Sequence, residues 1–269
     1  MQMKRPVILD GALGSLLIKE GAPANLALVN TDMPELIRGV HKRYTDAGSE
    51  QINANTFCVN PLNAGDNTEL WVRAGLENAR AAVPAGVRVA LNMCPLGKLL
   101  EPYGDLDPDE AYKLFLRVVK AGRSADLAAI ETMASVDEAL TALHAVKSEG
   151  MTAFVTMSFG TNGRTLMGET PEYAAKALAE AGADAVGMNC SVGPDTAAEI
   201  AARFLDATDV PVIIKPNNGL PDKNGAYSMT PAEFADKMAR VAELGVSYVG
   251  GCCGTTPQHI AELAKVLGC

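Results

Sequence analysis

Aromatic residues and positive charge are both scarce in this chain. Aromatic residues make up 5% of the 269 residues, and Asp and Glu outnumber Lys and Arg by 32 to 23, which gives a formal net charge of −9. No run rich in Lys or Arg interrupts this acidic pattern. Because an acidic surface repels phosphate backbones, the composition argues against nucleic acid as a partner and favours small molecules or another protein.

Long apolar runs are missing as well. No stretch approaches the roughly 20 residues that a membrane-spanning helix needs. The first residues lead directly into the apolar segment 7–9 without the longer apolar region and cleavage site of a signal peptide. We therefore expect a cytoplasmic protein without membrane contact. In a reducing compartment, the six cysteines are expected to be metal ligands, reactive thiols or buried apolar residues rather than disulfides.

What the chain does contain is a regular alternation of short β-prone runs and longer segments with helical periodicity. The predicted strands cover residues 7–9, 51–56, 87–92, 128–131, 153–157, 185–189, 212–215 and 247–250. The predicted helices cover residues 34–47, 69–83, 108–122, 136–148, 171–181, 196–205, 231–244 and 257–267. This alternation predicts an α/β fold, a (β/α)8 TIM barrel, as a single domain over residues 1–269. An open doubly wound sheet is the alternative, which the lack of G-x-G-x-x-G after the first strand disfavours.

Polar side chains and thiols follow the predicted strands at their C-terminal ends. In a barrel these ends share one rim, and active sites lie there. The sequence therefore predicts a polar active site at this rim. The residues concerned are Asp10, Gly11, Asn53, Asn55, Asn92, Glu131, Ser158, Asn189, Cys190, Lys215, Asn217, Cys252 and Cys253.

Three of these residues, Cys190, Cys252 and Cys253, predict a metal site. One strand separates predicted strands 6 and 8, so their ends can face each other. Three thiolates with an open fourth position are a zinc arrangement, although copper(I) and iron–sulfur also accept soft sulfur ligands. Adjacent strand residues point to opposite faces, so Cys252 and Cys253 can share a metal only where the backbone leaves extended geometry. The glycines at 250, 251 and 254 permit this. A strained redox disulfide between the two neighbours is the alternative.

The remaining cysteines and the histidines are expected to have no role in the chemistry. Cys58, Cys94 and Cys269 are interpreted as buried apolar residues or as incidental. All three histidines fall in predicted helices away from the rim, which disfavours a His-based metal site or a His-activated nucleophile. These are His41, His144 and His259.

With these residues identified, the chain resembles the homocysteine S-methyltransferase family, and within it the homocysteine-binding barrel of cobalamin-dependent methionine synthase. The similarity runs nearly end to end. The segments that carry it are LDGALGS (9–15), NANTF (53–57), ETMAS (131–135), GMNCSVGP (187–194), KPNNGLP (215–221) and GGCCGTTPQHI (250–260).

The resemblance implies a zinc-dependent enzyme that methylates the thiol of homocysteine to give methionine. It implies that Cys190, Cys252 and Cys253 bind zinc and form the catalytic centre. It also implies that Asp10 and Glu131 bind the substrate ammonium, and that backbone N–H groups near Gly11 bind the carboxylate. Further substrate contacts are expected from Asn55, Asn189 and Asn217, the last filling the fourth zinc position when substrate is absent.

Three positions depart from the family pattern and bear on the methyl donor. Ala54 stands where the family often has Thr, Cys58 where betaine-using relatives have an aromatic residue, and Thr132 where they have Tyr. Losing both aromatic groups removes cation–π contacts to a quaternary ammonium, which argues against betaine. The chain is expected to carry no second domain for folate, cobalamin or S-adenosylmethionine. Because the barrel most resembles the corrinoid-using branch of the family, a methyl-corrinoid such as methylcobalamin on a separate protein is the predicted donor. The alternatives are a free sulfonium such as S-methylmethionine, or another small thiol as acceptor.

Two other functions stay open at the level of sequence. One is a phosphate-binding barrel enzyme without zinc, because the glycine-rich ends of strands 7 and 8 are where barrels often bind phosphate. The other is a non-catalytic subunit that docks a corrinoid protein and has lost turnover through Ala54.

Overall fold

The computed structural model describes residues 5–268, in which eight parallel strands form one closed sheet. Neighbouring strands pair in the order β1-β8-β7-β6-β5-β4-β3-β2, and a bridge between Leu9 and Gln51 joins the two ends of this sheet. The (β/α)8 barrel is thereby confirmed, and the open doubly wound sheet is excluded. The strands are β1 (Val7–Ile8), β2 (Gln51–Asn53), β3 (Arg88–Met93), β4 (Leu127–Met133), β5 (Ala153–Met157), β6 (Ala185–Asn189), β7 (Val212–Lys215) and β8 (Tyr248–Val249).

Helices surround the barrel within the described residues. The larger ones each follow a strand, as the periodicity predicts, and three short ones lie in the connections after β1 and β2. Two short 3₁₀ helices, Leu26–Leu28 and Gly65–Asn67, lie in the same connections. The α-helices are α1 (Gly14–Lys19), α2 (Val29–Asp32), α3 (Pro34–Asp46), α4 (Pro61–Ala64), α5 (Thr68–Ala82), α6 (Pro108–Ala121), α7 (Val136–Ser148), α8 (Pro171–Glu180), α9 (Pro194–Ala207), α10 (Pro231–Glu243) and α11 (Pro257–Val266). None of the described helices has both the length and the apolar character needed to cross a membrane.

The barrel interior is apolar at one end and polar at the other. A small interior cluster includes Ala129 of β4, Phe154 of β5 and Ile213 of β7. Since strand side chains alternate between faces, residues two positions further along the same strands also point inward. These are Glu131, Thr156 and Lys215, all buried. The interior therefore becomes polar toward the C-terminal ends of the strands, where the sequence predicts the active site.

The opposite end of the interior is closed by a cation–π stack. The Arg88 guanidinium lies 5.6 Å from the ring centroid of Phe154 and 5.5 Å from that of Tyr248. Arg88 and Tyr248 are half-buried, and such contacts are worth about 0.5–1 kcal/mol at exposed sites and more where water is excluded. The polar end of the interior carries the side chains that the sequence predicts for the active site.

The histidines lie in helices, as predicted, and His41 of α3 makes stability sensitive to acid. His41 is fully buried, and neither of its ring nitrogens has a hydrogen-bond partner among residues 5–268. Burial lowers the pKa of His41 to about 3. The unfolded chain therefore takes up a proton below about pH 6.5 that the folded chain refuses, so stability is lost as the pH falls.

We expect the free energy of unfolding to fall by up to about 1.4 kcal/mol for each pH unit below about 6 on account of His41. Urea unfolding at several pH values between 7 and 5 would measure this. The variant His41→Leu should lose that part of the slope, whereas His144→Gln, at an exposed position of α7, should keep it. An equal slope in His41→Leu and the unmodified chain would contradict the expectation.

Candidate active site

Three thiols converge at the C-terminal end of the barrel. The Sγ atoms of Cys190, Cys252 and Cys253 all lie within 4.8 Å of one another, and those of Cys190 and Cys253 are 3.6 Å apart. Zn–S bonds of about 2.3 Å in a tetrahedron place two sulfurs about 3.8 Å apart. The spacing therefore fits one tetrahedral cation with a fourth position left over. Among the described residues, no other group of three His, Cys, Asp or Glu side chains meets this spacing.

The backbone after β8 explains how two neighbouring cysteines reach the same point. The strand ends at Val249, and residues 252–255 form a turn in which the Thr255 N–H donates to the Cys252 carbonyl over 3.1 Å. Gly254 has a φ of 81° there, a value that glycine adopts without strain. The backbone thus leaves extended geometry at this point, as the sequence requires for a shared metal. Cys252 and Cys253 are free thiols rather than a disulfide.

Backbone strain is concentrated beside the thiols. Within the described part of the chain, the non-glycine residues with positive φ are Thr132 at 62°, Cys190 at 65° and Ser191 at 60°. Such conformations cost about 1–3 kcal/mol each and persist only where surrounding contacts hold them. The Cys190 N–H donates to the Lys215 carbonyl over 3.0 Å, and the Thr132 N–H donates to the Asn189 side chain over 2.7 Å. These hydrogen bonds hold Cys190 in a strained conformation in which its sulfur lies beside the other two thiols.

The thiols of this cluster ionise unequally. Hydrogen bonds from Cys190 and Cys252 lower the pKa of Cys253 to about 3. Hydrogen bonds to Cys190 and Cys253, together with burial, raise the pKa of Cys252 well above its ordinary value. The hydrogen bonds within the cluster therefore favour the thiolate form at Cys253 over that at Cys252. Holding all three as thiolates requires a bound cation, because a metal favours the deprotonated form of its ligands.

Asn189 supports the cluster from below. Its Oδ1 accepts hydrogen bonds from the Thr132 N–H and the Thr156 hydroxyl, both over 2.7 Å. Its Nδ2 donates to the Thr132 hydroxyl over 2.8 Å and toward the Cys252 Sγ over 3.8 Å. Each polar atom of this side chain is engaged within the protein, which places Asn189 as a support for Cys252.

A buried ion-pair network lies beside the thiols. Lys215 Nζ is 3.2 Å from Asp10 Oδ1 and 2.8 Å from Glu131 Oε1. Asn53 donates its backbone N–H to Asp10 Oδ2 and its Nδ2 to Glu131 Oε2, both over 2.8 Å. Burial raises the pKa of Asp10 despite the nearby Lys215 charge. Burial by itself would lower the pKa of Lys215, but the Glu131 and Asp10 carboxylates hold it above its ordinary value. Lys215 is therefore charged.

The structure also shows the surroundings of three other predicted substrate contacts, Gly11, Asn217 and Asn55. At Gly11, an added Cβ would lie 2.6 Å from the Thr255 hydroxyl, so its backbone packs directly on the cysteine turn. Asn217 is buried, its N–H donates to the Val192 carbonyl over 2.9 Å, and its Oδ1 has no donor among the described residues. Asn55 is buried after the end of β2. Its Nδ2 donates to the Leu26 carbonyl and to Asn30 Oδ1 over 2.8 and 2.9 Å.

Cys58 and Cys94 are separate from the cluster. Cys58 is exposed and Cys94 is half-buried, so Cys58 fits the second of the two expectations, an incidental residue, rather than a buried apolar one. Burial raises the pKa of Cys94 to about 12, which keeps its thiol protonated and weakly nucleophilic. Cys269 lies outside the described residues.

Sequence reasoning missed the roles of Asn53, Lys215 and Tyr227. The signal for Lys215 is a charged residue that ends an apolar strand, two positions after the interior residue Ile213. The Tyr227 ring packs on Gly254, where an added Cβ would lie 2.3 Å from the ring. Burial and the nearby Cys253 charge raise the pKa of Tyr227 to about 12. No sequence pattern marks Tyr227, because it lies in the loop between β7 and α10.

Comparisons with known proteins agree with this geometry. Methionine synthase of Mycobacterium leprae (strain TN) is 30% identical over 296 residues, covering 98% of this chain and 24% of that protein. Methionine synthase of Mycobacterium tuberculosis (strain ATCC 25618 / H37Rv) is 29% identical, covering 98% of this chain and 25% of that protein. The chain thus spans about a quarter of the length of these curated relatives.

A solved structure shows the same fold. The metallated form of the homocysteine methyltransferase MmuM from Escherichia coli superposes with a TM-score of 0.83 at 21% identity, covering 97% of this chain and 96% of that chain. The homocysteine S-methyltransferase family profile matches residues 7–267, which run from β1 to the end of α11 and include every cysteine of the cluster. The resemblance read from the motifs is confirmed, and the chain belongs to the homocysteine S-methyltransferase family.

Proposed function

We propose that this chain is a zinc-dependent methyltransferase that moves a methyl group to the thiol of homocysteine to give methionine. We propose further that residues 1–269 form a single homocysteine-binding domain. The observation that carries the proposal is the meeting of three cysteine sulfurs within 4.8 Å beside a buried network with two carboxylates. The E. coli relative is a homocysteine methyltransferase solved in a metallated form, which supports the same reading.

The donor set fits zinc. Three cysteine ligands suit a soft or borderline cation, and a set of three protein ligands is typical of catalytic zinc, which keeps one position open. When bound to Cys190, Cys252 and Cys253, Zn²⁺ would supply the charge that keeps a substrate thiol, with an ordinary pKa of about 8.5, deprotonated at neutral pH. The glycines that suggested a phosphate site are used in packing instead. An added Cβ at Gly251 would lie 2.4 Å from Thr255 Oγ1, and one at Gly250 would lie 2.8 Å from the Asp10 carbonyl.

The residues of the chain would hold homocysteine at both ends. Asp10 and Glu131 would bind its ammonium group, and backbone N–H groups near Gly11 its carboxylate. Three carbons separate the ammonium nitrogen of homocysteine from its sulfur, so one molecule can bridge from the carboxylates to the neighbouring cysteines. Asn189 would keep the Cys252 sulfur in place. The Oδ1 of Asn217, which lacks a donor among residues 5–268, would face the open position until substrate arrives.

The reaction exchanges two bonds. The homocysteine thiol releases its proton to solvent, and a sulfur lone pair attacks the methyl carbon. The bond between that carbon and the donor breaks, and its electron pair leaves with the donor. Holding the ammonium and carboxylate groups fixes the direction of the sulfur lone pair, which is the orientation effect that makes such displacements fast.

We propose a methyl-corrinoid, methylcobalamin, carried by a separate protein, as the donor. The two methionine synthase relatives, each matched over 98% of this chain, are the observation that supports this donor. A free sulfonium such as S-methylmethionine is the second candidate, and another small thiol is the alternative acceptor.

A donor panel tests the proposal. The zinc-loaded chain is incubated with homocysteine and, in parallel, with methylcobalamin, S-methylmethionine or betaine, and methionine is measured together with zinc content. We expect about one zinc per chain and methionine formation that is fastest with methylcobalamin. Zinc-loaded chain that forms no methionine with any of these donors would overturn the proposal. A metal-free chain that binds inorganic phosphate would support the phosphate-binding alternative.

A further inference from the structure

The network of Asp10, Glu131 and Lys215 is the buried charge cluster of the described chain. The exposed fractions of the Lys215, Asp10 and Glu131 side chains are 5%, 4% and 10%. In every other ion pair that the structure shows, at least one partner is more than a third exposed. A buried charge costs several kcal/mol unless it is paired. The charge balance of this cluster therefore has direct energetic consequences for any ligand that enters.

Each carboxylate oxygen of the cluster has one donor from the protein. Lys215 Nζ donates hydrogen bonds to Asp10 Oδ1 and to Glu131 Oε1. Asn53 donates its backbone N–H to Asp10 Oδ2 and its side-chain Nδ2 to Glu131 Oε2. Both carboxylates are thus held in fixed orientations, while the second lone pair of each oxygen stays available to a ligand. Two carboxylates and one ammonium leave one negative charge without a partner in the cluster.

We propose that Lys215 is a positioning residue that determines substrate specificity by setting the net charge of the cluster of Asp10, Glu131 and Lys215 at −1. This inference rests on the proposed function. A thiol that brings one ammonium group cancels the remaining charge, whereas a thiol without an ammonium leaves that charge buried and unpaired. Lys215 also lies between the two carboxyl groups, 3.2 Å from Asp10 Oδ1 and 2.8 Å from Glu131 Oε1, where its positive charge offsets the repulsion between them. The cluster is therefore suited to a ligand that carries one cationic group.

A suppressor experiment separates this charge role from a structural one. In Glu131→Gln the cluster has a net charge of zero, because the charges of Asp10 and Lys215 cancel. The volume of the side chain hardly changes. Adding Lys215→Met returns the charge to −1, now carried by Asp10 alone. Binding of L-homocysteine and of 4-mercaptobutanoate, which lacks the amino group, is measured by calorimetry on the zinc-loaded proteins. Thermal unfolding and zinc content are recorded for each variant.

The unmodified chain should prefer homocysteine by roughly 10- to 100-fold, the usual worth of a charge-assisted hydrogen bond. Glu131→Gln should bring the ratio close to one, and the double variant Glu131→Gln/Lys215→Met should recover at least about tenfold. The matched control Glu131→Gln/Lys237→Met removes an exposed lysine that pairs with Asp195 on the helix surface, and it should recover nothing. A double variant as unselective as Glu131→Gln, or a control that recovers equally well, would overturn the inference.

A second pair of variants guards against failure to fold. Asp10→Asn and Asp10→Asn/Lys215→Met repeat the same charge balance from the other carboxylate, and the same recovery of preference is expected. The binding assay needs no methyl transfer. If both thiols bind with the expected ratios but no methionine forms with any donor, the proposed function is wrong and the inference about Lys215 stands. If methionine forms but the preference for homocysteine does not depend on Lys215, the inference about Lys215 is wrong and the proposed function stands.

Discussion

Replacing Cys252 by alanine is expected to remove zinc from the chain and to abolish methionine formation together. Cys252 is the most buried thiol of the cluster, and Asn189, the cysteine turn and the Pro216 carbonyl hold it in place. Loss of even a residue that supports a ligand costs roughly 10- to 100-fold in metal affinity, so loss of the ligand itself should cost more than about 100-fold. Chelator competition measures the affinity, and methionine formation measures the activity.

Two matched variants show whether the effect belongs to the cluster. Cys58→Ala and Cys94→Ala remove thiols that are not part of it, and both should keep zinc and activity within about twofold, as expected for changes away from the site. A Cys252→Ala protein that retains zinc or turnover would contradict the proposed mechanism. Equal losses in all three variants would point to general instability instead.

Gly187→Ala is expected to destabilise the fold strongly, because it adds a methyl group inside β6. An added Cβ at Gly187 would lie 1.9 Å from the Ile213 carbonyl oxygen, and the two residues are register partners of β6 and β7. Overpacking usually costs about 1–3 kcal/mol where side chains can shift, and here the obstacle is paired backbone. We therefore expect a loss of at least about 3 kcal/mol, a large part of the roughly 5–15 kcal/mol that stabilises a typical domain.

Gly39→Ala is the matched control. Gly39 lies on the exposed side of α3, where an added Cβ would meet no atom within 4 Å. Alanine there should stabilise the helix by about 0.5–1 kcal/mol. Urea unfolding followed by circular dichroism measures both variants. A Gly187→Ala protein as stable as the unmodified chain would show that β6 and β7 can separate without cost.

The fold could be predicted because its signals are local. β5, β6 and β7 begin and end at the predicted residues, since each is a short apolar run between a helix and a turn. β2 and β8 are shorter than predicted, ending at Asn53 and Val249, because the chain leaves the sheet there to build the site. The short helices α1, α2 and α4 were not predicted, because segments of four to six residues hold too few turns for helical periodicity to show.

By itself, the sequence determined the barrel and the family, and it predicted that three cysteines would lie together, because strand periodicity and a pair of adjacent cysteines between glycines can be recognised without coordinates. Only the tertiary structure decided which polar side chains contact each other. Lys215 meets Asp10 from a position 205 residues away, and Asn55 Nδ2 donates to the Leu26 carbonyl and to Asn30 Oδ1. The physical reason is that a side chain's direction and partners depend on where closure of the barrel brings distant strands together, and no local pattern encodes that.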